Sequence, residues 1–199
     1  MNHPRRTLTW LGILVVMAGC GIARAASARA ETNQVLFGFL GPEIFPIDNS
    51  IAQLRAGDID GDGLVDLVIA NNARAKISVL YNQTGKTNRT ADPKTRKLEQ
   101  NELPPDARFR IDSIASEKRI AALVLADLNG DERPDLAYYG EPKELVVQYN
   151  EGGQEWSAPK RWPIEDGQTT PNALCTGDLN GDKLTDLVLL GETAIYSFP

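Results

Sequence analysis

Three times in 199 residues the chain repeats one ten-residue phrase. Asp58-Ile59-Asp60-Gly61-Asp62-Gly63-Leu64-Val65-Asp66-Leu67 recurs as Asp127-Leu128-Asn129-Gly130-Asp131-Glu132-Arg133-Pro134-Asp135-Leu136, and again as Asp178-Leu179-Asn180-Gly181-Asp182-Lys183-Leu184-Thr185-Asp186-Leu187. The shared pattern is D-x-[DN]-G-D-x-x-x-D-L, with acids or amides at loop positions 1, 3, 5 and 9. Internal repetition of this kind limits the architecture more than any local propensity does. The flanks recur as well. Short strands are expected before the loops at Ala52–Ala56, Ala121–Ala126 and Ala173–Thr176, and after them at Leu67–Ala70, Leu136–Tyr139 and Leu187–Leu190. Third strands are expected at Lys76–Tyr81, Glu144–Tyr149 and Thr193–Phe198, and fourth strands at Ala107–Ile111 and Glu155–Trp162. Outside the first thirty residues no segment carries a helical period, so the fold class is all-β.

The loops have the chemistry of a hard divalent cation site. Ca²⁺ takes six to eight oxygens at about 2.3–2.6 Å, and alternate side chains of a curled loop can converge on one point. The first loop offers Asp58, Asp60, Asp62 and Asp66, with the Leu64 backbone carbonyl and water. The second offers Asp127, Asn129, Asp131 and Asp135, and the third Asp178, Asn180, Asp182 and Asp186, with Arg133 and Leu184 at the carbonyl position. Up to three Ca²⁺ are therefore expected; Mg²⁺ suits such loops less because it demands a smaller, stiffer octahedron. An EF-hand needs a carboxylate at position 12, which here holds Ile69, Tyr138 and Leu189. Plain Asp/Asn/Gly turns are the simpler alternative. Against them, two carboxylates about 4 Å apart repel by about 4 kcal/mol at an effective dielectric of 20, and each loop crowds three or four.

The charge balance agrees. Setting aside the four arginines of the first thirty residues leaves 17 basic side chains against 27 acids, a net charge of −10 over residues 31–199. Ten of those acids sit at the donor positions of the loops, which leaves 17 acids against the 17 basic side chains. A nucleic-acid or anionic-membrane partner needs a basic footprint that is missing here. The loops should differ in strength: position 6 is Gly63 in the first, but Glu132 and Lys183 in the others, where a left-handed backbone costs roughly 1 kcal/mol. The first site is expected to be the tightest and the third the weakest.

These loops, with their following Asp-Leu, resemble the FG-GAP/VCBS repeats of integrin-α-type β-propellers and of many exported bacterial proteins. The likeness covers about residues 35–199, and Phe37-Gly38 echoes the family's Phe-Gly. It implies a four-stranded propeller blade per repeat, Ca²⁺ in the loop between its first two strands, and adhesion or ligand binding as the role. The repeat units are expected at about 35–111, 112–162 and 163–199. The loops start 69 and then 51 residues apart. At that spacing seven blades need about 420 residues, so the chain holds about three. The difference in spacing maps to Thr84–Asp106, a polar stretch with Pro93, Pro104 and Pro105 expected to be a surface loop. The last unit stops at Pro199 after its third strand, leaving an edge that β proteins normally protect. Further blades, a partner chain completing the ring, or an open curved sheet would each account for it.

Residues 1–30 read as an export signal: Arg5-Arg6, an apolar run from Leu8 to Ala18, then small-x-small sites such as Ala23-Arg24-Ala25. The run is too short to span a bilayer. Met17-Ala18-Gly19-Cys20 resembles a bacterial lipobox, so Cys20 is either a lipid anchor or discarded with the signal, and the location is secreted, periplasmic or on a membrane-anchored lipoprotein. Cys175 is expected to be a small buried residue on a strand.

Catalysis has few parts. His3 is the sole histidine, and an enzyme is not expected. Trp156 and Trp162 could share one strand face as a sugar-stacking platform, or pack between blades. The reading is an exported Ca²⁺-binding module for protein or glycan binding, adhesion or scaffolding, the ion being structural. The alternative is a Ca²⁺-dependent, lyase-like polysaccharide-active enzyme or a fragment of one.

Overall fold

The computed structural model describes residues 41–86 and 107–199. The signal segment, Cys20, Phe37-Gly38 and all of the Thr84–Asp106 stretch beyond Lys86 lie outside the described residues. Glu43–Pro199 forms one unit. Among the described residues there is no helix, and so none long and apolar enough to cross a membrane.

Each repeat is an antiparallel meander. In the first sheet β1 (Ile51–Gly57), β2 (Asp66–Asn71), β3 (Lys76–Asn82) and β4 (Phe109–Ala115) lie in chain order. The second holds β5 (Arg119–Ala126), β6 (Asp135–Glu141) and β7 (Glu144–Gln148); β8 (Asn150–Gly152) and β9 (Glu155–Trp156) pair as a separate hairpin, and β10 (Lys160–Pro163) returns to the outer edge of β7. The third has β11 (Leu174–Gly177), β12 (Asp186–Leu190) and β13 (Ile195–Phe198), with β13 at its edge. The expected strands are all present, with one change. Glu155–Trp162 is not continuous, because Ala158-Pro159 interrupts it and proline has no N–H to give a ladder.

Registers repeat with the sequence. Gly57 faces Asp66, Ala126 faces Asp135 and Gly177 faces Asp186, so the last acid of every loop opens the second strand of its sheet. That strand is the most buried in each repeat, which explains why its residues are apolar on both faces. Period-2 alternation then sorts those residues between two layers. Val68 and Ala70 point into a layer shared with Leu136 and Tyr138 of the second sheet. Ala137 and Tyr139 point into a layer shared with Leu187 and Leu189 of the third. Leu67, Ile69 and Leu80 pack outside the first sheet against Phe45 and Ile47, where the Phe45 and Phe109 rings meet edge-to-face at 5.1 Å. Loop position 2 records the same stacking: Ile59 is 2% exposed, Leu128 is half-buried and Leu179 is 61% exposed.

One expectation needs correcting and one alternative is decided. Cys175 does lie on a strand, β11, but it is exposed, because its row faces away from the layer between the second and third sheets. Of the two readings of Trp156 and Trp162, a shared platform or packing between sheets, the structure favours packing. Trp156, on β9, packs on the layer between the first two sheets, whereas Trp162, on β10, is 6.2 Å from the Phe198 ring.

Candidate metal centre

The first loop curls around its own first acid. Asp58 Oδ1 accepts hydrogen bonds from the N–H groups of Gly61 (2.9 Å) and Asp62 (3.1 Å), and Oδ2 accepts from Gly63 N–H (2.8 Å). Asp62 Oδ1 accepts from Leu64 N–H at 2.7 Å. The curl requires left-handed backbone at position 6, and all three loops adopt it: φ is +83° at Gly63, +66° at Glu132 and +73° at Lys183. The second and third loops reproduce the pattern. Asp127 accepts from Gly130, Asp131 and Glu132, and Asp178 accepts from Gly181 and Lys183. Arg133 and Leu184 each donate their N–H to the acid two residues before, as Leu64 does.

The last acid of each loop is the anchor. Asp66 is fully buried; its Oδ2 accepts from Ile59 N–H at 2.9 Å and its Oδ1 from Asn82 N–H at 2.7 Å. Asp135 does the same with Leu128 N–H (2.9 Å) and Asn150 N–H (2.8 Å). Asp186 Oδ2 accepts from Leu179 N–H at 2.8 Å, but its Oδ1 is buried with no partner among the described residues. Burial pushes the Asp66 and Asp135 carboxyls above the usual range, more than their backbone hydrogen bonds lower them. At Asp127 burial also acts upward, but the N–H groups of Glu132, Gly130, Asp131 and Asn129 outweigh it and hold the carboxyl low.

Of the sequence candidates, the structure brings Asp58, Asp60 and Asp66 together, each offering an oxygen within 4.8 Å of the others. Asp60 Oδ1 is buried there and accepts no hydrogen bond. A dry carboxylate oxygen costs free energy unless a donor or cation meets it, so these residues fit a divalent ion. Asp62 turns instead toward Lys86, whose ammonium ion-pairs with Asp62 Oδ2 and lies 3.9 Å from Asp60 Oδ2.

The other two loops satisfy themselves more fully. Asp131 Oδ2 accepts from Arg133 Nη2 (2.6 Å) and Asn129 Nδ2 (3.0 Å), and Asp182 Oδ2 accepts from Asn180 Nδ2 (2.9 Å). An amide at position 3 thus supplies a hydrogen where the first loop has a second carboxylate. Two roles escaped the sequence reading. Lys86 has no counterpart in the repeated phrase, so no spacing points to it. Asn82 and Asn150 were signalled by a repeated Tyr-Asn, Tyr81-Asn82 and Tyr149-Asn150, at the end of the third strand.

Residues 127–189 match the family model of the FG-GAP-like repeat. The match runs from the first acid of the second loop to Leu189 on β12, and so includes both later loops. No curated protein and no solved structure matches the chain. Over residues 127–189 the chain carries an FG-GAP-like repeat.

Proposed function

We propose that this is an exported, Ca²⁺-stabilised, propeller-like binding module of about three blades. The observation that carries the reading is the first loop, where Asp58, Asp60 and Asp66 converge and a buried Asp60 oxygen has no hydrogen to accept. Ca²⁺ bound there supplies the positive charge that offsets carboxylate repulsion. Asp58, Asp60 and Asp66 would hold it, and Asp62 would join if Lys86 moved aside. The role is structural, since each loop ties the first two strands of a sheet together. Ligand binding rests on the FG-GAP-like repeat, a module commonly used for recognition and adhesion. Export, and either loss or lipidation of Cys20, rests on the basic and apolar start of the chain.

The test is a melting curve in millimolar Ca²⁺ and in EGTA. At a dissociation constant near 0.1 mM, 1 mM Ca²⁺ adds roughly 1.4 kcal/mol per site. Equal melting temperatures in the two buffers, with no lanthanide bound at Asp58, would sink the metal reading.

A further inference from the structure

At the end of the strands away from the metal loops, side chains stitch the seam between the first two sheets. Asn72, just past β2, donates from Nδ2 to the Ile120 carbonyl at 2.9 Å and accepts the Ile120 N–H on Oδ1 at 2.8 Å. Gln53 Nε2 donates to the Ala121 carbonyl at 2.9 Å. Both first strands bulge here, with register shifts between Ile51 and Leu54 and between Ile120 and Ala122. A bulge releases backbone groups from the ladder and re-aims side chains, which leaves those of Ile120 and Ala121 to the first sheet's amides.

The seam between the second and third sheets is not stitched in this way. Counted from the first acid of each loop, Glu141 takes the place of Asn72, and Pro171 that of Ile120. An ionised carboxylate has no hydrogen to donate and proline has no N–H, so neither half of the stitch forms. The chain also turns at this point: Ala173 N–H bonds the Thr170 carbonyl at 3.1 Å, and β11 starts only at Leu174. What opens is a cavity of about 320 Å³, lined by Gln53 and Asn72 of the first repeat, Arg119 and Glu141 of the second, and Thr169 and Pro171 of the third. That is the small end of the range of roughly 300–1,000 Å³ for small-molecule sites.

The walls select the occupant. Arg119 and Glu141 are cross-strand partners on β5 and β6, both exposed, and neither side chain makes an ion pair or hydrogen bond among the described residues. Gly140 holds the two strands close, since a Cβ on it would strike the Arg119 carbonyl. Opposite charges side by side leave the cavity without net charge, so it favours neither an anion nor a cation. A hydroxyl is the group that accepts from a guanidinium and donates to a carboxylate at once. The amides of Gln53 and Asn72 each keep a second N–H after their seam bonds, and Thr169 adds a hydroxyl. Neutral polar groups spread around the wall suit several hydroxyls better than a single ammonium.

We propose that this cavity binds a neutral sugar residue of a glycan. Adjacent hydroxyls bridge Arg119 and Glu141, and another meets Thr169. The inference rests on reading the chain as a binding module, and names the ligand class and the place where it sits.

The probes are the methyl glycosides of glucose, galactose, mannose and fucose, titrated against the full chain in millimolar Ca²⁺ and followed by ligand-observed NMR. At least one should bind, with a dissociation constant of roughly 1–10 mM, as suits so small a ligand. Arg119→Met and Glu141→Met should each weaken it at least about tenfold, since each removes a charged hydrogen-bonding group. Either variant suffices if the other fails to fold, as judged by circular dichroism. No binding of any of the four sugars overturns the proposal. Tighter binding of glycine or of methyl glucuronoside also overturns it, because the cavity would then be selecting a zwitterion or an anion. Sugar binding that is unchanged in both folded variants overturns this site but leaves the chain a glycan binder, so the two failures are distinguishable. The Ca²⁺ melting curve is independent of all these outcomes.

Discussion

Asn150 and Ile59, 91 residues apart, are joined by a 2.8 Å hydrogen bond from the Asn150 side-chain amide to the Ile59 carbonyl. Ile59 in turn gives its own N–H to Asp66, and Asn150 gives its N–H to Asp135. One buried amide thus ties the anchoring acid of the first loop to that of the second.

Replacing Asn150 by Ala should therefore cost more than replacing Asn82. The first change leaves the buried Ile59 carbonyl unpaired, whereas Asn82 Nδ2 reaches only the exposed Val65 carbonyl of its own loop at 3.1 Å. Urea denaturation should show a loss of about 1–3 kcal/mol for Asn150→Ala and under about 1 kcal/mol for Asn82→Ala.

Calorimetry should rank the sites. Asp58→Ala is expected to remove the tightest Ca²⁺-binding event and Asp178→Ala the weakest. Lys86→Gln should tighten the first site, because the ammonium competes for Asp62. Weaker binding in that variant would mean that Lys86 helps to build the loop instead.

Backbone strain at loop position 6 can be relieved. Glu132→Gly and Lys183→Gly should each stabilise the fold by up to about 1 kcal/mol, since the left-handed penalty exceeds the chain entropy that glycine adds. Gly63→Ala should destabilise it. Thermal melts of the three variants check the signs.

Alkaline pH should unfold the protein through its tyrosines. Burial holds Tyr138 and Tyr139 at about 12, against about 10 for an exposed phenol. A folded-state value above the unfolded one means that the contribution is intact below pH 10 and is lost as pH rises toward 12. Absorbance at 295 nm should show these two phenols ionising together with loss of the β-sheet circular dichroism signal.

Cys175 should react with a thiol reagent in the native state at the rate of an exposed cysteine, because it lies on the open face of β11. Protection until the protein is unfolded would show that something covers that face.

The sequence revealed most of the skeleton. Repeated flanks around the three loops located the first three strands of every sheet, since apolar runs between Asp/Gly turns leave few other options. The left-handed turn at Glu132 and Lys183 was legible because Gly63 occupies the same place in the phrase. Less visible was which side of a strand faces which neighbour. Cys175 looks like a core residue by type, yet alternation aims it outward once Leu174 and Leu189 enter the inner layer. Trp156 and Trp162 were separated by a break at Pro159 that period counting passed over. Within the loops, spacing identified the donors but not their competitors, because Lys86 and Arg133 meet the acids only after the chain has curled.

The apolar layers have a thermodynamic corollary. Each is co-owned by consecutive sheets, so the stability of any repeat is a nearest-neighbour quantity, as in a one-dimensional lattice. A cavity cut in either layer would therefore loosen two sheets at once, and the second sheet, which shares Leu136 and Tyr138 with one neighbour and Ala137 and Tyr139 with the other, would feel damage to both.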